Sequence, residues 1–225
     1  MEQLYNSTIA AISTAMSNSG IGIVRMSGPE AFQIADRVYK GKKEKKLCDQ
    51  KSHTIHYGYI VDGEQVIDEV LVMLMRGPHS YTGEDTVEIN CHGGVYVVKR
   101  ILELLIKNGA RPAEPGEYTK RAFLNGRLDL SQAEAVGDLI ASQNEYALQS
   151  SVSQLKGNIK DKISEMREKI LYHTAFIETA LDDPEHISVD GYGETLKKVV
   201  DEIMEAMKRL LDSCDDGSII KEGVR

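Results

Sequence analysis

The sequence predicts an α+β protein in which a mixed domain of strands and helices precedes an all-helical region. Three observations favour this class. Short β-branched runs separated by turns fill the first part of the chain, whereas apolar residues recur every three or four positions from Ser131 onward. Strands do not alternate strictly with helices, so a Rossmann fold is not expected. We expect two domains, over residues 1–118 and 119–225.

The first domain is predicted to have the element order ββαβββα. Apolar or alternating runs typical of strands occupy residues 7–12, 21–26, 53–61, 66–75 and 86–91. One helix is expected to begin at Pro29, and a second to run roughly over Val95–Asn108, with Gly109 as its C-cap. The lysine-rich segment Lys40–Lys51 is interpreted as a solvated loop, and a contact for RNA or for an acidic partner is the alternative.

The segment Arg111–Leu139 joins the two parts of the chain. Its two prolines and the Asn125-Gly126 dipeptide predict turns, since proline fixes φ and Asn-Gly tolerates positive φ. Ser131 and Glu134 have the spacing of a capping box, which predicts that a helix begins there. Basic and acidic side chains are interleaved between these signals.

An apolar stripe predicts one long helix over residues 152–177, interrupted only by Gly157. A break is expected near Ser142–Tyr146, and a further helix over residues 196–210 is expected to end before Asp215. Helices of this kind bury little by themselves. We therefore expect that further helices or a partner complete their core, and that the chain is a part of a longer protein.

Composition and charge narrow the functional classes. The 225 residues carry a net charge of −8, which argues against a broad nucleic-acid-binding face but leaves room for a local basic patch. No apolar run approaches the roughly 20 residues that span a bilayer, and the first residues do not resemble a signal peptide. The three cysteines are widely spaced, which fits neither a disulfide framework nor a zinc site and favours the cytoplasm.

Motifs that would carry chemistry are largely missing from the sequence. There is no G-x-x-x-x-G-K-[ST] loop, so we expect that this chain alone does not hydrolyse a nucleotide. No residue is assigned to catalysis or to a metal. His92 could carry a proton, although a histidine that is hydrogen-bonded at the end of a strand is the more common case. Cys91 is expected to pack as a small hydrophobic residue.

Three charged residues stand in or next to segments that otherwise look buried. Arg25 lies within an apolar run, Glu88 interrupts a short strand, and Arg127 follows the Asn-Gly turn. A buried charge needs a partner. On the residues alone, a structural Arg–Glu pair, plain exposure and a ligand site all remain open.

Several motifs, in order along the chain, closely resemble those of the MnmE (or TrmE) family of tRNA-modification GTPases. The central one is PGEYTKRAFLNGRLDLSQAEAV. The others are STIAAIST, GIGIVRMSGPEA and YTGEDTVEINCHGG, so the resemblance extends over the whole chain.

The resemblance implies a ligand. The family's N-terminal domain is similar to folate-binding aminomethyltransferase domains and binds 5-formyltetrahydrofolate. Its folate-contacting positions correspond here to Arg25, Glu88 and Arg127. A carboxylate can accept two hydrogen bonds from the N–C–N edge of a pterin, and guanidinium groups bind carboxylates. We therefore hypothesise that Glu88 binds the pterin ring and that the arginines hold polar or anionic parts of the folate. The family commonly has lysine at position 127, so the arginine here keeps the charge but changes the geometry of the contact.

The resemblance also implies an architecture and partners. The family joins a folate-binding, dimer-forming domain to a helical domain that contains an inserted Ras-like GTPase domain. This sequence ends close to where that insertion would begin, and it lacks the family's C-x-G-K motif. We expect the whole protein to be cytoplasmic and to act with the flavoprotein MnmG on C5 of the wobble uridine of tRNA. It would use GTP with Mg²⁺ and K⁺, whereas this chain would supply folate binding and homodimerisation.

Two other functions are weighed against this one. A free-standing folate-dependent transferase is disfavoured by the long helical region and by the RAFLNGRLDL segment. A dimerisation module without a ligand would need Arg25 and Glu88 only as an ion pair. Such a pair in a closed interior, with no cavity beside it, would argue against folate.

Overall fold

A computed structural model describes residues 7–41 and 46–222 of the chain, and the side chains up to Asp212. Residues 42–45 of the lysine-rich loop lie outside the described part, so neither interpretation of that loop is tested. The chain divides into two compact units, Met1–Leu128 and Asp129–Arg225. The division falls later than the domain boundary expected near residue 118, because a helix over Glu117–Leu124 is bound into the first unit by Arg121.

The first unit contains a seven-stranded sheet with the order β3-β4-β5-β6-β2-β1-β7. Its strands are β1 Ile9–Ile12, β2 Ser19–Ser27, β3 Tyr39–Gly41, β4 Thr54–Asp62, β5 Gln65–Met75, β6 Thr86–Gly93 and β7 Arg111–Pro112. All neighbours pair antiparallel except β1 and β7, which are parallel. The five predicted strands are confirmed. The two edge strands, β3 and β7, were not predicted, since two or three residues are too few to show a period of two.

Helices α1 (Ala31–Val38) and α2 (Val95–Lys107) pack with one face of this sheet to form the core. Val24, Val87 and Ile89 point to this face and are fully buried. The predicted alternation of β6 is therefore confirmed, with Glu88 on the opposite face. A third helix, α3 (Glu117–Leu124), was not predicted, because its eight residues are mostly polar and too few to show a clear helical period.

The opposite face of the sheet carries the residues that alternate with the core. Arg25, Glu88 and Met73 lie side by side across β2, β6 and β5. Further along the same face, four large apolar side chains are 40–63% exposed: Ile21, Ile55, Tyr57 and Leu71. We call these four residues the open face.

The second unit is all-helical over its described residues. Its helices are α4 Leu130–Ala141, α5 Glu145–Leu155, α6 Asn158–Asp182 and α7 Tyr192–Glu222. The predicted break near Ser142–Tyr146 is confirmed. The single stripe predicted over residues 152–177 belongs instead to α5 and α6, because Gly157 takes a φ of +86° and begins a new helix.

Two predicted helix ends were wrong. The capping box of α4 consists of Asp129 and Gln132, not of Ser131 and Glu134. The hydroxyl of Ser131 donates to Oδ1 of Asp129 at 2.7 Å, so the serine supports the cap without being it. Helix α7 continues to Glu222 instead of ending before Asp215. Among the described residues, no helix is long and apolar enough to cross a membrane.

Candidate ligand-binding site

Arg25 and Glu88 form a salt bridge across neighbouring strands. Nε of Arg25 donates to Oε1 of Glu88 at 2.6 Å, and a terminal guanidinium nitrogen approaches the same oxygen at 2.6 Å. The Arg–Glu ion pair, one of the alternatives considered from the sequence, is therefore present. It does not lie in a closed interior, since the side chains are 28% and 14% exposed. Oε2 of Glu88 receives no hydrogen bond from the described residues and remains able to accept one.

The third predicted residue, Arg127, contacts the same aromatic ring as Arg25. Its guanidinium carbon lies 5.1 Å from the centroid of Tyr81, and that of Arg25 lies 5.9 Å from the same centroid. A second ring, Tyr118, lies 5.6 Å from Arg25, and its hydroxyl donates to the Arg25 carbonyl oxygen at 2.7 Å. The structure thus brings Arg25, Glu88 and Arg127 together, with the ring of Tyr81 in contact with both arginines.

A buried ionic network holds the elements that carry these residues. Arg121 is only 3% exposed and contacts Glu84 and Glu117, each at 3.1 Å. Glu117 also accepts from Arg111 at 2.9 Å, and Glu84 accepts from the Ser27 hydroxyl at 2.7 Å. Burial by itself would raise the pKa of Glu117, but hydrogen bonds from Arg111, the Glu114 amide and Arg121 outweigh it and lower the pKa to about 2.

Hydroxyl and amide hydrogen bonds join the loop before β6 to helix α3. The hydroxyls of Tyr81 and Thr119 are 2.9 Å apart, and Nδ2 of Asn125 donates to the Thr82 carbonyl oxygen at 2.7 Å. The ring of Tyr81 is therefore held at its hydroxyl, and the loop that carries it is held at the next residue, Thr82. The tie between loop and helix explains why the unit extends beyond residue 118.

Sequence reasoning did not identify Arg121 or Tyr118 as parts of the site, nor the pairing of Arg121 with Glu84. A signal was present, because opposite charges are interleaved in both PGEYTKRAF and YTGED. Their pairing could not be deduced, since Arg121 and Glu84 are distant in sequence and meet only once the sheet has formed.

A cleft of about 360 Å³ opens on the same side of the sheet. Ile21, Tyr57 and Leu71 of the open face line it, together with Asn90 and His92 of β6. Asn90 is the next residue after Glu88 on this face of the strand. The salt bridge therefore borders an accessible surface with a depression nearby.

His92 and Cys91 have structural surroundings. Nδ1 of His92 is 2.7 Å from Oδ1 of Asp68, and this hydrogen bond raises the histidine pKa. Its backbone amide donates to the same carboxylate at 2.7 Å, which matches a histidine held at a strand end. Cys91 is buried, its thiol donates to the Gly22 carbonyl oxygen, and burial raises its pKa to about 11. No metal-binding group of three or more His, Cys, Asp or Glu occurs among the described residues.

The arrangement is suited to binding. Guanidinium groups form charge-assisted hydrogen bonds with carboxylates, a carboxylate accepts from the N–H groups of a heterocycle, and tyrosine rings stack on flat ligands. Arg25, Arg127, Glu88 and the two tyrosines supply these groups within one cluster. The cluster holds no activated nucleophile.

Comparisons with known proteins agree over the whole chain. The family model of the GTP-binding protein TrmE N-terminus matches residues 8–127, and that of the MnmE helical domain matches residues 130–225. Curated proteins named tRNA modification GTPase MnmE are 55% identical in Lachnoclostridium phytofermentans, 50% in Carboxydothermus hydrogenoformans and 47% in Bacillus subtilis. These alignments cover 96–98% of the chain but 48% of each relative, so the chain spans about half their length. The chain belongs to the MnmE (TrmE) family.

Proposed function

We propose that the first unit binds 5-formyltetrahydrofolate at the cluster of Arg25, Glu88, Arg127 and Tyr81. The observation that supports this most is the convergence of two guanidinium groups and a carboxylate around one aromatic ring at an accessible edge. Glu88 would accept N–H groups of the pterin through Oε2, and the arginines would hold the anionic glutamyl tail.

Calorimetric titration with 5-formyltetrahydrofolate tests the proposal. Wild-type protein should bind, and Glu88→Ala should abolish detectable binding. Glu103→Ala is the matched control, because this glutamate is 68% exposed on α2, which packs on the other face of the sheet. Unchanged affinity in Glu88→Ala, with a melting temperature near that of wild type, would refute the assignment.

One observation favours a second function, a dimerisation module without a ligand. Arg25 and Glu88 already satisfy each other at 2.6 Å, so no ligand is needed to neutralise them. Absence of any heat with 5-formyltetrahydrofolate, reduced folates or pterins, in a protein that is folded and dimeric, would favour this module.

We further propose that the first unit pairs with a second copy through the open face. The edge strands of the sheet, β3 and β7, have only three and two residues, so they offer few backbone hydrogen bonds for pairing with the sheet of a second copy. By contrast, the four large apolar side chains of the open face are exposed. Leu71→Glu should convert a dimer to a monomer in sedimentation equilibrium. Tyr96→Glu, on the exposed side of α2, should leave the dimer intact.

The relatives' name supports a role in tRNA modification for the whole protein, and the further details of its role are proposed from the family resemblance. We propose that it modifies tRNA in the cytoplasm, acts with the flavoprotein MnmG at C5 of the wobble uridine, and hydrolyses GTP with Mg²⁺ and K⁺. Folate would supply the one-carbon unit. This chain by itself should release no phosphate from GTP, because it contains no G-x-x-x-x-G-K-[ST] loop. Phosphate release above a no-protein control would contradict that expectation.

A further inference from the structure

We infer that Tyr81 is a positioning residue of the folate site, which holds Arg127 in place to receive the glutamyl tail of the ligand. This inference rests on the proposed function, since it concerns the same site. Tyr81 begins the motif YTGEDTVEINCHGG, but neither the resemblance nor the comparisons assign it a contact with Arg127.

The surroundings of the two arginines differ. Arg25 is fixed by Glu88 at 2.6 Å and by the ring of Tyr118. Arg127 forms no salt bridge with the side chains that the structure describes, and its guanidinium carbon lies 5.1 Å from the centre of the Tyr81 ring. An arginine that is not held by a carboxylate keeps its full charge available for an anionic ligand. It also keeps its rotamer freedom, unless a ring restricts the guanidinium plane.

The ring of Tyr81 is itself held in place and can restrict the guanidinium plane of Arg127. Its hydroxyl is 2.9 Å from that of Thr119 on α3, and the following residue, Thr82, is fully buried. The ring also faces Arg25, at 5.9 Å. The ring thus contacts both guanidinium groups and restricts where they lie, which reduces the ordering cost when a ligand with two carboxylates binds.

The inference predicts that loss of the Tyr81 ring weakens the binding of ligands that carry a glutamyl tail more than that of ligands without one. The glutamyl tail carries the carboxylates, whereas the pterin ring faces Glu88. Loss of the Tyr81 ring should weaken binding of 5-formyltetrahydrofolate by about tenfold, in the range of a partly desolvated cation–π contact. Binding of 5-formyltetrahydropterin, which lacks the tail, should change less than about twofold, because no contact of Arg127 is then lost.

A double-mutant cycle separates positioning from a merely structural effect. Tyr81→Leu, Arg127→Gln and the double variant are titrated with both ligands, and Tyr81→Phe, which keeps the ring, should bind within about threefold of wild type. The double variant should lose no more affinity than the single variant that binds more weakly, since the tyrosine acts through the arginine. Tyr96→Leu, an exposed tyrosine on α2, is the matched control.

The possible results are distinct. If wild type does not bind 5-formyltetrahydrofolate, both the proposed function and this inference fail. If Glu88→Ala abolishes binding but Tyr81→Leu binds like wild type, or if its loss adds fully to that of Arg127→Gln, the inference alone fails. Should Tyr81→Leu unfold, Tyr81→Met replaces it, because it fills more of the ring's volume without offering a π face.

Discussion

Arg121 is a single buried residue that connects several elements of the candidate site. Its guanidinium is 3% exposed and contacts the carboxylates of Glu84 and Glu117 at 3.1 Å. Glu84 in turn accepts from Ser27 in β2, the strand that carries Arg25. One buried cation therefore connects the loop before β6, helix α3 and the sheet.

Removing this cation should be costly for stability. Arg121→Met leaves two carboxylates without their shared partner, and we expect a loss of about 3–5 kcal/mol in the free energy of unfolding. Urea denaturation measures the change. Lys107→Met is the control, because that lysine is 70% exposed beside Asp62 and its loss should cost less than about 1 kcal/mol. A cost in Arg121→Met as small as that of the control would show that the network contributes little.

Glu117 gives the unit a defined response to acid. Its pKa falls from the ordinary 4.5 to about 2 in the folded state, so its contribution to stability is complete above pH 4.5. That contribution is lost progressively as the pH falls from 4.5 towards 2, because the unfolded chain then takes up the proton first. Unfolding free energies measured across this window should fall less steeply in Glu117→Gln than in wild type. Glu114→Gln, an exposed neighbour, should follow the wild-type slope.

At the scale of an element, β2 approaches α2 closely because Gly22 has no side chain. A Cβ at this position would lie 2.3 Å from Cγ1 of Val98 and 3.3 Å from Cα of Gly93. At Gly20, two residues earlier on the same strand, a Cβ would meet nothing within 4 Å. The two glycines differ in whether the helix lies above them.

These two positions form a matched pair of variants. Gly22→Ala should destabilise the protein by about 1–3 kcal/mol, since the methyl group must displace Val98 and the helix. Gly20→Ala should be neutral or stabilising by a few tenths of a kcal/mol, because it reduces the freedom of the unfolded chain. Thermal unfolding of both variants measures the difference. Equal melting temperatures would mean that α2 shifts at no cost.

The sequence alone predicted those strands and helices whose apolar and polar residues follow a regular local pattern. The alternation of Val87, Glu88 and Ile89 predicted both the strand β6 and the face on which the glutamate lies. Helix α3 was missed, because this short helix is held by ion pairs with Glu84 and Arg111, which are outside it, and a local pattern does not show such pairs. The resemblance placed Arg25 and Arg127 at one site, but the contact of both guanidinium groups with the ring of Tyr81 was not predicted, since it joins residues that are distant in sequence.

At the scale of the whole molecule, the two compact units meet in sequence at Leu128. All members of the site precede this point, and so do the members of the hydrophobic core formed by the sheet, α1 and α2. The first unit should therefore be able to fold without the second.

Truncation tests this directly. A fragment of residues 1–128 should unfold cooperatively and bind 5-formyltetrahydrofolate within about threefold of the whole chain. A fragment of residues 1–118, the boundary expected from the sequence, should not bind, because it lacks Arg121 and Arg127. Circular dichroism and calorimetry distinguish the outcomes. Binding by the shorter fragment would remove both α3 and Arg127 from the site.

The parallel pairing of β1 with β7 has a consequence for synthesis on the ribosome. Ile9 of β1 cannot pair with β7 until Arg111 has been synthesised about 100 positions later, and this synthesis takes roughly 5–20 s at ordinary translation rates. For most of that interval the hairpin of β1 and β2 lacks strand β6, which begins only at Thr86, and helix α2, which follows β6. The nascent chain therefore exposes Val24 and Met26, which are fully buried once the sheet is complete, and offers them to chaperones until its own partners emerge.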